Sequence, residues 1–208
     1  MIVVNYSRMK KELIFVIDPM CSWCWGFAPV MEALRKSDGY TSSLVLGGLR
    51  TKGEMKWDES SKGYLQGHWE QVAKSTGQPF SYVLFQKEHF DYDTYPACKA
   101  VLSVRECFGM HKAFEYLHVI QQAFYAKGED ITQFDVLKTS LAAIDVDIEA
   151  FDTFYKSERA ELLMEHDFAK ARSMGANAFP SAVIIDEEGH MVCQKGYRSL
   201  FEMQTLLQ

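Results

Sequence analysis

The chain has 208 residues, 48% of them hydrophobic, and a formal charge of −6 from 22 Lys+Arg against 28 Asp+Glu. That length can bury a real core, either as one large domain or as a domain carrying an insertion. Charges of both signs are interspersed with no basic stripe, so nucleic acid is not an expected partner. No stretch approaches the about 20 apolar residues of a membrane helix, so no membrane partner is expected either.

The basic residues Arg8, Lys10 and Lys11 precede an apolar run, Leu13 to Ile17, that is too short for a signal-peptide core and is followed by no small-residue cleavage site. The expected location is the cytoplasm, where thiols are held reduced. Residues 12–18, ELIFVID, predict a buried strand. A helix is expected from the two cysteines that follow, Cys21 and Cys24, to about Lys36, with Pro29 kinking it. The loop SDGY and the apolar stretch 42–47 then complete a parallel strand–helix–strand unit.

From residue 55 to 175 apolar residues recur at helical spacing. Tyr64, Leu65, Trp69, Val72 and Thr76 mark one helix. Ala97 to Phe108 and Phe114 to Phe124 mark two more, and Phe134 to Ile144 a further one, with Thr132 and Asp135 as its capping signal. Ile148, Phe151 and Tyr155 form a short helix, and residues 158–174 a last one stopped by Gly175. Strand character returns at 181–186 and 191–195 around the turn EEGH, an antiparallel hairpin, before a terminal helix at about 199–207. The expected organisation is an α/β core from residues 1–54 and 176–208, interrupted by a helical domain at 55–175.

Five cysteines, an odd number at irregular spacing, do not form a disulfide framework. Zinc would need a second close ligand pair, so no metal is expected. Cys98 and Cys107 stand nine residues apart, on opposite faces of one helix. They, Cys193 and the six scattered histidines are read as packing or surface residues. The pair Cys21–Cys24 is different. A helix N-terminus stabilises a thiolate, so Cys21 is expected to be the nucleophile, with Cys24 one turn deeper on the same face to resolve a mixed disulfide. Trp23, Trp25 and Phe27 either line an apolar rim or belong to the core, Trp23 being the best candidate for exposure. Pro180 directly precedes a buried strand, and a cis Phe179–Pro180 bond would aim the Phe179 backbone at the cysteines.

The segment DPMCSWCWGFAPV together with the later AFPSAVII resembles the DsbA family of thioredoxin-fold thiol–disulfide oxidoreductases, and within it the FrnE-like, protein-disulfide-isomerase branch. The resemblance implies a thioredoxin fold (βαβ…ββα) with a large helical insertion. It makes Cys21 and Cys24 the catalytic pair, and Pro180, Phe179 and Trp23 the substrate-binding residues. No cofactor is implied. Partners would be protein or peptide thiols and disulfides, with glutathione a further candidate. Two positions depart from the family pattern. The buried acid that thioredoxin and the periplasmic DsbA enzymes carry six residues before the first cysteine is here Phe15, and the nearest acid, Asp18, is expected on the other side of the strand end. The residues between the cysteines are Ser22–Trp23, which supply no imidazolium, so a weaker oxidant is expected. Other readings are a redox-sensing adapter and a kappa-type glutathione-dependent transferase or isomerase. The latter enzymes replace the first cysteine with serine, which this chain does not.

Overall fold

The computed structural model describes residues 11–51 and 55–208. Arg8, Lys10 and the domain boundary placed at residue 54 lie outside them. The described residues open with β1 (Lys11–Ile17), α1 (Ser22–Arg35) and β2 (Tyr40–Leu46). Five helices follow: α2 (Glu59–Thr76), α3 (Tyr95–Gln121), α4 (Phe134–Ser140), α5 (Ile148–Tyr155) and α6 (Glu158–Ser173). β3 (Ser181–Ile185), β4 (Met191–Lys195) and α7 (Leu200–Leu206) complete it. The sheet order is β2-β1-β3-β4; β1 runs parallel to β2, and the β1–β3 and β3–β4 pairs are antiparallel. This is the thioredoxin arrangement expected from the sequence, with helices between the second and third strands.

Alternation along β1 sorts its side chains onto two layers. Leu13, Phe15 and Ile17 face a large core shared with α1, α2 and α3, while Ile14 and Val16 meet Val45, Val183 and, from the end of α6 onward, Ala171, Met174 and Ala176. Both faces are covered, so β1 reads as an unbroken apolar run rather than an alternating one.

One expectation holds in the helical segment and one changes. The stripes 97–108 and 114–124 are two helical stretches of α3 that meet at a kink at Gly109 (φ 87°), the second running on into a π-helical turn at Gln122–Ala126. Glycine tolerates that conformation without a Cβ clash, so the helix breaks and resumes. The Thr132–Asp135 capping signal does not cap α4, whose N-cap is Gln133; the Thr132 hydroxyl donates instead to Asp130 Oδ1 at 2.6 Å. Pro29 lies inside α1 on its exposed side without interrupting it. The carbonyl it deprives of a donor, Trp25 O, accepts from Gln78 Nε2 at 2.9 Å, so α2's terminal loop repairs the missing bond.

The outer edge of β2 would expose unpaired backbone groups. Asp167 of α6 accepts from Leu46 N at 3.0 Å, and Arg105 of α3 donates to Leu44 O at 3.0 Å. The two side chains pair with each other through two bonds, of 2.7 and 3.0 Å. Both are nearly buried, so the ion pair closes the sheet edge and fastens two helices to it at once.

Removing one member of a buried pair strands the other charge. Asp167→Ala should lower unfolding free energy by about 3–5 kcal/mol in urea titrations. A loss below about 1 kcal/mol would show that the edge does not depend on this pair.

Candidate active site

The turn Asp18-Pro19-Met20-Cys21 carries the chain from β1 into α1. Cys21 is the N-cap, in extended conformation, and its carbonyl accepts from Cys24 N (2.9 Å) and Trp25 N (3.1 Å). Its sulfur therefore stands at the positive end of the helix. Cys24 lies one turn in, completely buried, whereas Cys21 retains 6% exposure. Both are free thiols. Burial pushes the Cys24 thiol well up, reinforced by its hydrogen bond to Cys21 and the charge there.

The Phe179–Pro180 bond is cis, as expected. The Phe179 carbonyl accepts from Cys21 Sγ at 3.5 Å. Phe179 is half-buried, and its ring packs so closely on Gly47 that a Cβ there would lie 2.0 Å from it, which is why the strand end must be glycine. Pro180 is buried, and its carbonyl accepts from Gly196 N at 2.8 Å. That bond sets the next loop beside the cysteines. Tyr197 of this loop packs on Trp23 (ring centroids 5.6 Å apart) and edge-on to Phe27 (6.3 Å). Trp23 is half-buried, while Trp25 and Phe27 are core residues, Trp25 donating through Nε1 to Pro79 O at 3.1 Å. Of the three aromatic candidates, Trp23 alone reaches the rim.

Asp18 is wholly buried and turned toward α3. Its carboxylate accepts from Met20 N (2.8 Å), Leu49 N (2.6 Å), the Thr94 hydroxyl and Cys98 Sγ (3.5 Å). Its backbone carbonyl accepts from Cys21 N at 3.2 Å, and its backbone N–H faces the Cys24 sulfur. Burial pushes the Asp18 carboxyl up, against the pull of those four donors. The Tyr92 hydroxyl donates to Met20 O at 2.8 Å, fixing the turn from its other side. At the family's acid position, Phe15 packs edge-on to Phe27 and Phe114.

Cys98 is a wholly buried core residue, as expected, and its thiol also donates to Asp18 Oδ2 in the turn before α1. Its helix partner Cys107 points elsewhere, toward Ala150 O at 3.8 Å, and Cys193 pairs across the sheet with Val183. Asp186, Glu188 and His190 gather at the β3–β4 turn, where His190 bonds Asp186 at 2.9 Å. Among the described residues no histidine is placed against the cysteine pair by a hydrogen bond. The signal for Asp18 was present: an acid ending an unbroken apolar run. Nothing local marked Tyr92, Thr94 or Cys98, which reach the turn from more than 70 residues away.

The family model described as Thioredoxin matches residues 14–203. A solved structure of a candidate protein disulfide isomerase from Nitrosomonas europaea is similar over 96% of both chains, with a TM-score of 0.86 and 32% identity. The cytosolic disulfide reductase DsbM from Pseudomonas aeruginosa shares the fold over 95% of this chain and 100% of its own, with a TM-score of 0.75 and 24% identity. It is also solved with GSH. The curated relative ClpXP adapter protein SpxH from Shouchella clausii is 22% identical over 188 residues, 87% of this chain and 60% of its own length. The Bacillus subtilis SpxH is 23% identical over 187 residues, 88% and 61% respectively. The chain thus spans about three fifths of the curated relatives it matches. A match that runs from the middle of β1 into α7 takes in at least part of every strand and helix, and the chain accordingly belongs to the thioredoxin family, in the DsbA-like form its structural neighbours share.

Proposed function

We propose that this protein is a thiol–disulfide oxidoreductase of the protein-disulfide-isomerase type, acting in the cytoplasm on protein or peptide disulfides, with glutathione disulfide as a small substrate. The observation that carries the reading is Cys21 at a helix N-terminus, buried but for 6% of its surface and with its sulfur 3.5 Å from the Phe179 carbonyl, while Cys24 one turn behind has no exposure at all. The likeness to the Nitrosomonas protein and to DsbM supports it.

In this reading the Cys21 thiolate attacks one sulfur of a substrate disulfide. A Cys21–substrate bond forms, and the other substrate sulfur leaves as a thiolate that takes up a proton. Cys24 then gives up its proton and attacks Cys21. The Cys21–Cys24 bond forms, the mixed disulfide breaks, and the second substrate thiol departs. Two electrons and two protons have passed to the substrate. Phe179 and Pro180 present the backbone along which an extended substrate lies, and Trp23 with Tyr197 supplies an apolar rim for its side chains. No cofactor takes part. The helical segment, roughly residues 55–175, acts as an inserted domain and narrows access to Cys21.

A second reading, a redox-sensing adapter, is favoured by the SpxH relatives alone. It requires client binding that depends on the pair's oxidation state, without turnover.

Limited alkylation of the reduced protein at neutral pH should label Cys21 before Cys24 and Cys98, which are wholly buried. Earlier labelling of either buried thiol would remove Cys21 as the nucleophile.

The cysteine variants separate the two readings. Cys21→Ser should abolish reduction of insulin in the presence of a reductant, a loss of at least about a thousandfold since no nucleophile remains. Cys24→Ser should trap a mixed disulfide that migrates as an adduct on non-reducing gels. Wild-type turnover by Cys21→Ser would refute the catalytic reading. Redox-dependent client capture by a wild-type protein that reduces nothing would favour the adapter.

A further inference from the structure

A cavity of about 840 Å³ opens between α1 and the second stretch of α3, with residues 143–145 as a further wall. Neither cysteine of the pair lines it, nor do Trp23, Phe179, Pro180 or Tyr197. Its volume is that of a pocket for a small organic molecule. Pro29, Met31, Phe114 and Ile144 give it an apolar lining.

The cations of the lining are all engaged. Glu32 takes Arg35 through two bonds, of 3.0 and 3.1 Å, and Lys36 at 3.0 Å. Arg35 also lies 5.0 Å over the Phe114 ring and donates to His111 Nδ1 at 3.2 Å. Glu115 takes Lys112 at 2.9 Å and meets His111 Nε2 at 3.1 Å, and Lys112 donates to Ile144 O at 2.7 Å. Asp145 differs. It is exposed at the cavity wall, and among the described residues its carboxylate has neither a hydrogen-bond donor nor a cation. His118, also in the lining, packs on Trp25 with ring centroids 5.8 Å apart, and among the described residues its ring nitrogens have no polar partner. A neutral imidazole keeps one nitrogen as an acceptor. What the wall leaves unmatched is therefore acceptor chemistry, one carboxylate and one imidazole, above an apolar surface.

That chemistry selects the occupant. An anion would meet cations already neutralised and a carboxylate that repels it. A neutral apolar molecule would suit the lining but leave Asp145 unmatched. An organic cation suits both, its body against the apolar lining and its ammonium on Asp145, in sheltered surroundings that strengthen a charge-assisted bond. We propose that this cavity is a binding site for a small protonated amine with an apolar body, separate from the redox pair. The inference goes beyond the exchange reaction: no bond of the amine is made or broken. One wall is α1, the helix that begins at the cysteines, and Gln78, whose amide donates to Trp25 O, also lines the cavity. A bound amine thus rests against the helix of the redox pair without entering the redox site.

The test uses ligands with one body and different heads: phenylbutylamine, phenylbutanol and phenylbutyrate, each titrated calorimetrically into the full chain at neutral pH. The amine should bind about fivefold more tightly than the alcohol, the upper end for an ion pair with an exposed carboxylate, and the butyrate more weakly than either. Asp145→Asn should bring the amine down to the alcohol's affinity. Asp145 has φ 51°, a backbone conformation that asparagine also tolerates, so the fold is kept. Ala143→Trp, at an exposed position of the wall, fills the cavity and should abolish amine binding. Cys21→Ser should bind the amine as wild type does. No saturable binding of the amine, butyrate binding as tight as the amine, or either wall variant at wild-type affinity overturns the proposal. Loss of amine binding in Cys21→Ser places the amine at the redox site and overturns it as well. The comparison of heads needs no variant, so it decides even where a variant does not fold. Failure of the exchange reading would appear instead as turnover by Cys21→Ser, with amine binding unaffected.

Discussion

A carboxylate enclosed at the end of the first strand organises this molecule. Asp18 sits where β1, the loop after β2 and the start of α3 converge, and a buried anion must be surrounded by donors. The donors it recruits are the structural result. Met20 N fixes the turn into α1, Leu49 N fixes the loop leaving β2, and Thr94 and Cys98 fix α3 against both. Tyr92 adds a bond to Met20 O. The position of the cysteine pair follows from satisfying one side chain, and the α/β core and the long helix are held in register by it.

The second tie between sheet and helices is of a different kind. Arg105 and Asp167 neutralise each other while also closing the open edge of β2. One contact is an ion pair that protects backbone, and the other an uncompensated charge beside sulfur. The same helix, α3, contributes to both, with Arg105 seven residues beyond Cys98 and so two turns along the same side. The helical segment thus reaches the sheet at an edge and at the redox turn, and those two attachments limit how far it can move without disturbing the cysteines.

The order of elements was legible because its signals are local: the apolar run of β1, the turn between β3 and β4, the CxxC at a helix start and a proline before a strand. Where reading failed, the deciding contact lay outside the motif being read. Thr132 has the chemistry of a cap, yet Asp130 two residues away captures its hydroxyl first. What encloses Asp18 is not legible locally, because Thr94 and Cys98 lie up to 80 positions further on. Cys98 looked like an ordinary small apolar residue for the same reason. Phe15 joins the aromatic core through edge-on contacts to Phe27 and Phe114.

The central claim is that electrons leave through Cys21 and Cys24 together. It is tested most directly by stoichiometric oxidation. The fully reduced protein is mixed with one equivalent of a peptide disulfide, quenched with an alkylating agent and digested. The account predicts that the peptide spanning residues 21 and 24 escapes alkylation and is lighter by two hydrogens, with two substrate thiols released per protein and Cys98, Cys107 and Cys193 fully alkylated. Loss of alkylation at any of those three, or release of substrate thiols with Cys21 and Cys24 still alkylated, would contradict it.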